Sequence, residues 1–326
     1  MTTNLTYEMV FPERALQPTS EADAPLQISV LMPAKNAEST IRAAISSTLR
    51  ALPSDAELLI FDDASSDQTS VVARSSGDSR VKVFSSDEPH GVARALNRLF
   101  SESEGSLIAR MDADDISLPW RFHSQKRAIA RGIDVSFGSV VHFGDSLRLP
   151  RLSPPATLRP DAMRLSLLIS NAVAHSTMMC TRQVLETAGG YHDCLAEDYE
   201  LWLRLARSGS VRISRSGLPL IALRRHAGQV TKNGNWAAKA ASQPEWQLAY
   251  RELAESIFVD SWSVSLAARI DGSPLATAKA RVLAPLISAQ TARLPGPDRY
   301  FVRQLAKRNG ISLPANKSDR RRGEDD

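Results

Sequence analysis

Leu107-Ile108-Ala109-Arg110-Met111-Asp112-Ala113-Asp114-Asp115 decides how this chain is read, because an apolar run passes without a break into a loop that carries three carboxylates. The run is short and lacks helical spacing, the pattern of a strand covered on both faces. Turn chemistry accounts for a single aspartate after a strand, whose side chain bonds its own backbone. Three so close together repel one another, which is tolerable only beside a counter-charge. A hard divalent cation supplies it, held by one or two carboxylates and by phosphate oxygens of a substrate. An EF-hand loop starting at Asp112 is excluded, since Ser117 and His123 stand where glycine and glutamate are required.

The same pattern recurs upstream. Ile28-Ser29-Val30-Leu31-Met32 is an apolar run closed by Pro33, and Leu58-Leu59-Ile60-Phe61 is another, ending in Asp62-Asp63. Between them Ile41, Ala44, Ile45, Thr48, Leu49 and Leu52 fall at helical spacing and Pro53 stops the helix. A polar helix from about Ser66, a strand Val81 to Phe84 and a helix marked by Val92, Leu96, Leu99 and Phe100 complete the series. Past the acidic loop, Ser117 as N-cap and Pro119 in the first turn open a helix with Arg121, Lys126 and Arg127 on its wet side. Strands alternating with helices predict an α/β fold with a mainly parallel sheet and helices on both faces. Ligands of such sheets sit beyond the carboxyl ends of the strands. Pro33-Ala34-Lys35-Asn36, Asp62-Asp63 and the Asp112 loop are therefore expected on one rim, around one cleft.

Further on, Val135 to Phe143 reads as a strand, Pro150 to Pro160 as a loop, and Asp161 to Ile169 and Ala196 to Ser208 as helices. The last opens on a second acidic cluster. Leu201, Trp202, Leu205 and Ala206 form its buried stripe, so Glu197 and Asp198 are expected at its exposed amino end, where the helix dipole favours ionised carboxylates. Arg204 is placed to pair with Glu200 four residues earlier. Arg224-Arg225-His226 follows the apolar run Leu220 to Leu223, and arginine suits phosphate geometry. Residues 235–310 read as helices punctuated by Pro244, Gly272, Pro274, Pro285 and Pro295-Gly296-Pro297. Their apolar faces have three outlets: the catalytic domain, a second copy in a homodimer, or a membrane surface. The expected organisation is an arm over 1–25, a catalytic domain over 26–230, a helical region over 231–312 and a charged tail over 313–326.

Composition sets the outer limits. The 326 residues hold 40 Lys and Arg against 36 Asp and Glu, a formal net charge of +4. The signs are interspersed, and Arg320-Arg321-Arg322 is answered at once by Glu324-Asp325-Asp326, so no nucleic-acid partner is expected. Two cysteines, Cys180 and Cys194, cannot build a zinc module and point to a reducing compartment. No apolar stretch reaches the roughly 18 residues of a membrane span. Met1 to Pro25 lacks the layout of a secretory signal, so a soluble, cytoplasmic protein is expected.

Five segments together resemble the family 2 glycosyltransferases of the GT-A fold. They are Ser29 to Asn36, Phe61 to Thr69, Gly91 to Asn97, Met111 to Ile116 and Ala196 to Arg204, in register over roughly 26–230. The family usually has Thr or Ser after the first proline and Tyr or Phe before the asparagine, where this chain has Ala34 and Lys35. The resemblance implies an inverting, metal-dependent transferase taking a nucleoside diphosphate sugar to a glycan or lipid-linked acceptor, at the inner face of a membrane. Pro33 and Asp63 would line the base pocket, Asp112 would meet ribose or sugar hydroxyls, and Asn97 and Arg225 would serve the nucleotide sugar. Asp114 would bind Mn²⁺ or Mg²⁺, with Asp112, Asp115 and His226 as further candidate ligands. Asp198 would be the general base, with Glu197 and His175 in support. Two alternatives are a non-catalytic nucleotide-binding partner in polysaccharide assembly and an Asp-x-Asp phosphatase. The first would lack the metal aspartate or the base, and this sequence keeps both; the second usually carries its motif near the N-terminus, with Thr or Val where Ile116 stands.

Overall fold

The structure is a computed structural model and describes residues 28–144, 149–226, 236–258 and 284–313. The arm over 1–25 and the tail beyond Leu313 lie outside the described residues.

Strands β1 (Ile28–Ala34), β2 (Glu57–Asp63), β3 (Val81–Ser86) and β4 (Leu107–Arg110) pair in parallel in the order β3-β2-β1-β4. Alternation along the central strands sorts two cores. Leu31, Leu59 and Phe61 join one, with Leu96, Leu99 and Phe100 of α3 (Val92–Glu102). Ile28, Val30, Met32, Leu58 and Ile60 join the other, with Ile41, Ala44 and Ile45 of α1 (Ile41–Ala51) and Ala73 of α2 (Thr69–Arg74). A strand buried on both faces must be apolar throughout, which is why these runs read so clearly.

Beyond β4 the sheet becomes mixed, a departure from the mainly parallel expectation. It continues β4-β8-β6-β9-β5, with β5 at Ile116–Ser117, β6 at Val135–Phe143, β8 at Met179–Thr181 and β9 at Ile213–Arg224. β8 is antiparallel to both neighbours, β9 is parallel to β6, and β5 is antiparallel to β9. Sequence reading missed β8 and β9. The first has three residues, and the second carries Gly217 and Pro219 and slips register against β6 between Phe137 and Val140. The loop read over Pro150 to Pro160 contains the short strand β7 (Arg151–Leu152). Ser117 is not an N-cap: it pairs with Ile221 in β5, its N–H donates to Ser47 Oγ at 3.1 Å, and α4 (Arg121–Ile129) starts later, after Trp120.

Helices α5 (Pro160–Ile169), α6 (Arg182–Thr187) and α7 (Glu197–Arg207) cover the first core. Trp202 is fully buried there and meets Phe137 edge-on at 4.8 Å, a geometry that adds about 0.5–1.5 kcal/mol to its burial. The expected Arg204–Glu200 pair is present and bidentate, at 2.9 and 3.0 Å. The helices that follow are α8 (Trp236–Ala241), α9 (Pro244–Ile257), α10 (Ala284–Arg293) and α11 (Gly296–Arg308). Trp246, Leu253, Ile287 and Val302 belong to the same core as Leu167 and Leu201, so their apolar faces go to the catalytic body. Among the described residues no helix is long and apolar enough to cross a membrane.

Candidate active site

The rim at the ends of β1 and β2 is laced from side chain to backbone. Asn36 sits in the left-handed region (φ 50) and its Oδ1 accepts from Ser66 N–H at 2.9 Å. Asp67 accepts from the N–H groups of Glu38 (3.1 Å) and Thr69 (3.0 Å), and Glu38 accepts from Gln68 N–H (3.1 Å). These bonds occupy 66–68 outside any helix, so α2 begins at Thr69 rather than Ser66. Asp62 binds Ser65 within its own turn. Asp63 is buried and accepts from His90 N–H (2.6 Å) and Gly91 N–H (3.1 Å). Gly91 takes φ +86 before α3, which a side chain rarely adopts, and that turn sets both N–H groups on the carboxylate.

After β4, three carboxylates gather. One oxygen from each of Asp112, Asp114 and Asp115 lies within 4.8 Å of the others. Asp115 is buried, and its Oδ1 accepts from Arg224 N–H at 2.8 Å, tying this loop to the end of β9. Its Oδ2 and the neighbouring Ser176 Oγ face each other without a well-formed hydrogen bond. Burial, then the charges of Asp112 and Asp114, push the Asp115 carboxyl well above the ordinary range. Burial and Asp112 raise Asp114 too, partly offset by His226, whose Nε2 lies 3.3 Å from Asp114 Oδ2. Arg110, 7% exposed, places its guanidinium on Asp112. Arg224 donates from Nε to the Asp114 carbonyl at 3.0 Å. A site with an orphaned buried carboxylate oxygen and two carboxyls held above their usual range fits a bound cation.

The second acidic cluster is less exposed than its helix position implies. Glu197 is 14% exposed at its side chain, because α7 starts under the loop 191–196 and against α9. Burial and then the Asp198 charge push the Glu197 carboxyl up to about 7. Burial raises Asp198, against which two bonds to the charged form act: Tyr199 N–H at 2.7 Å and Asn171 Nδ2 at 3.0 Å. Desolvation outweighs the helix dipole here. Glu197 lies 3.7 Å from His175 Nδ1, and His175 Nε2 meets Tyr191 OH at 3.0 Å. Burial and then Arg110 hold His175 well below its usual pKa, so it is neutral at pH 7. Ala196, immediately before the pair, is left-handed (φ 59, ψ 44), which costs a residue with a Cβ about 1–2 kcal/mol.

Both clusters open onto one cleft of about 1180 Å³. Pro33, Asp112, Asp114 and His226 line it together with His175, Glu197 and Asp198. Asp63, Asn97, Asp115 and Arg225 do not line it. Asn97 is spent on the backbone of Tyr191, donating to its O at 2.8 Å and accepting from its N at 2.9 Å, so it fixes the loop before α7. Arg224, the last residue of β9, lines the cleft, and Arg225 does not. Sequence reading placed Lys35 on this rim but missed Asn171 and Arg110 among the lining residues. Arg110 carried a usable signal, a charge inside an otherwise apolar strand, while Asn171 lies in a segment without period.

A family model described as glycosyl transferase family 2 matches residues 29–188, the segment that builds the parallel sheet and the aspartate loop. The chain belongs to the family 2 glycosyltransferases. Among its relatives the glycosyltransferase is 28% identical to the UDP-Glc:alpha-D-GlcNAc-diphosphoundecaprenol beta-1,3-glucosyltransferase WfgD of Escherichia coli, over 58% of this chain and 74% of that one. It is 29% identical to the putative glycosyltransferase EpsE of Bacillus subtilis, over 56% and 68%. In three dimensions it matches TarS 1–349 of S. aureus, solved in complex with UDP-GlcNAc, with a TM-score of 0.55 over 91% of this chain and 92% of that one. At 17% identity that likeness speaks for the fold, a GT-A body followed by helices. Membership also removes the phosphatase alternative.

The acid pair sets an expected pH profile for the glycosyltransferase. Burial raises both carboxyls, Glu197 to about 7, while two bonds favour the charged form of Asp198. With Asp198 as the proposed base, ionisation of the neighbouring Glu197 makes it more basic, so the rate should rise with pH through a step near 7, well above the ordinary carboxylate pKa of about 4. Glu197→Gln should abolish that step and leave an acid limb at lower pH. A rate already flat between pH 5 and 8 in the unaltered enzyme would contradict the assignment.

Proposed function

We propose that the enzyme transfers a sugar from a nucleoside diphosphate sugar to a hydroxyl of a lipid-linked saccharide or growing polysaccharide, by single displacement with inversion. The observation that carries this reading is that Asp112 and Asp114 share one cleft with Glu197 and Asp198. The Asp112 and Asp114 carboxylates suit a cation and a diphosphate, and the Asp198 carboxylate suits a hydroxyl. WfgD, by its name, uses UDP-Glc and a diphosphoundecaprenol-linked acceptor, and TarS binds UDP-GlcNAc, which supports a donor and acceptor of these classes.

In this reading Asp198 takes the proton of the attacking hydroxyl, and Asn171 and the Tyr199 N–H hold its carboxylate in one orientation. Glu197 and the neutral His175 line the same cleft beside it. Mn²⁺ or Mg²⁺, held by Asp114 with Asp112, Asp115 and His226 as further candidates, would supply Lewis-acid neutralisation of the departing diphosphate. Arg224 stands beside that loop with a guanidinium suited to phosphate. Pro33 and Lys35 border the side where the base would lie, with Asp63 shaping the turn behind them. One base and one activated leaving group require no covalent sugar intermediate. The catalytic unit proposed over 26–230 is closed by helices from 231–312, and a lipid-linked acceptor would bring it to the inner face of the cytoplasmic membrane.

The test is to incubate the enzyme with UDP-, GDP- and dTDP-sugars, with Mn²⁺ or with a chelator. One donor should be hydrolysed slowly, and only with metal. The same nucleotide at a hundredfold excess over its Kd should stabilise the fold by about 2.7 kcal/mol. Metal-independent hydrolysis, or no nucleotide-dependent stabilisation, would overturn the reading.

A further inference from the structure

The turn that delivers Glu197 and Asp198 to the cleft ends in the left-handed Ala196, a conformation that persists only where its surroundings impose it. Two contacts restrain that turn from outside. At its start Arg94 pairs with Asp193 at 2.7 Å, with both side chains exposed. At its end Leu195 N–H donates to Gln243 Oε1 at 2.6 Å. Gln243 is the residue before α9, far away in sequence, and it lines the same cleft as the acids.

α9 is a firm base for this contact. Trp246 stacks on Tyr250 at 5.0 Å and meets Tyr199 of α7 edge-on at 5.7 Å. Tyr250 OH donates to the Leu168 carbonyl at 2.8 Å, and Arg207 of α7 pairs with Glu252. The backbone that carries Gln243 is thus fixed to the helix that carries the acids, and its side chain returns to the turn between them.

We propose that Gln243 is a positioning residue: through the Leu195 N–H it holds the turn 193–196, so that the C-terminal helices set the aim of the base and form part of the acceptor-side wall. This rests on the reading of Asp198 as the base. An exposed ion pair such as Arg94–Asp193 restrains weakly; the Leu195–Gln243 bond also lies at the surface, but it joins a backbone N–H to a residue anchored at the start of a packed helix and so restrains at a defined point. Misplacing a catalytic group by about 1 Å can cost on the order of a hundredfold in rate.

The test compares Gln243→Ala with Gln243→Glu in the full chain, since Glu keeps an oxygen to accept from Leu195. UDP-glucose serves as donor probe and GlcNAc-diphosphate on a short polyprenyl chain as acceptor probe, with Mn²⁺. Gln243→Ala should lower kcat by roughly ten- to a hundredfold, leave the donor KM within about twofold, and speed amide exchange in the peptide 194–199. Gln243→Glu should restore exchange protection and most of kcat. Unchanged exchange and kcat in Gln243→Ala would overturn the proposal, as would a Glu variant no better than Ala, or a loss of donor binding equal to the loss of rate. Should the unaltered enzyme turn over no sugar nucleotide, the functional reading falls, while the exchange comparison still decides whether Gln243 holds the turn.

Discussion

Asp198→Asn should lower sugar transfer by about 10²–10⁴-fold, the contribution typical of a positioned general base, with donor binding unchanged. Asparagine has the same shape and keeps an oxygen for the Tyr199 N–H, which now meets Asp198 at 2.7 Å. Its amide N–H₂ replaces the oxygen that accepts from Asn171 Nδ2, which a flip of the Asn171 amide accommodates because Asn171 Oδ1 has no partner; what is then lost is the ability to take a proton. The fold should not suffer. The Asp198 carboxyl is raised by burial, and a group whose folded pKa exceeds its unfolded one contributes stability only below the unfolded value, lost as pH rises through the folded value. At neutral pH the ionised form is therefore a cost that Asn removes. Unchanged or slightly higher Tm, intact nucleotide binding and a collapsed rate together would assign the defect to chemistry. A variant with near-normal turnover would remove Asp198 from the mechanism.

How much of this was legible beforehand depended on how local the cause was. β1, β2 and β4 are buried on both faces, so they are largely apolar and end at polar loops, and parallel pairing puts those ends on one rim. β9 could not be read this way, because its apolar residues answer to β6 on one side and β5 on the other, with a register slip between them. The carboxylates were legible as residues, and the loop that crowds Asp112, Asp114 and Asp115 is local. Their surroundings were not. Asp63 and Asn97 carry the right side chains at the right spacing, yet both are consumed by backbone N–H and C=O groups of loops that only the tertiary fold brings near. Glu197 and Asp198 were expected in solvent because a helix start is usually exposed. Coverage by α9 and the loop 191–196, contacts distant in sequence, makes desolvation the dominant force on them instead.

Arg110 is where those two worlds meet, and its removal should have the largest effect on the fold itself. It is 7% exposed, rests on Asp112, and its charge also bears on Glu197, Asp198 and His175. Arg110→Met keeps the volume and leaves the carboxylates of the 112–115 loop with the buried charge of Arg121 nearby but no guanidinium paired directly with Asp112. Breaking a buried pair costs about 3–5 kcal/mol. The lower end applies, because Asp112 is itself a third exposed and because Arg110 Nε is already buried without a partner, a cost the variant removes. About 3 kcal/mol corresponds to a fall in Tm of roughly 6–12 °C. The sign of its pH dependence follows from the same charges. Arg110 holds the raised Asp114 carboxyl down, so without it the folded Asp114 pKa rises further, and the deficit is small near pH 4 and grows as pH climbs through the raised value. Mn²⁺, bringing positive charge back to the loop, should recover part of the loss, and Arg110→Lys, which keeps charge without the planar fork, should fall between the two. Thermal unfolding of the metal-free proteins at pH 5 and pH 8 tests this directly: equal Tm deficits at both values, or no deficit at either, would show that Arg110 does not bind the two acidic clusters of the cleft together.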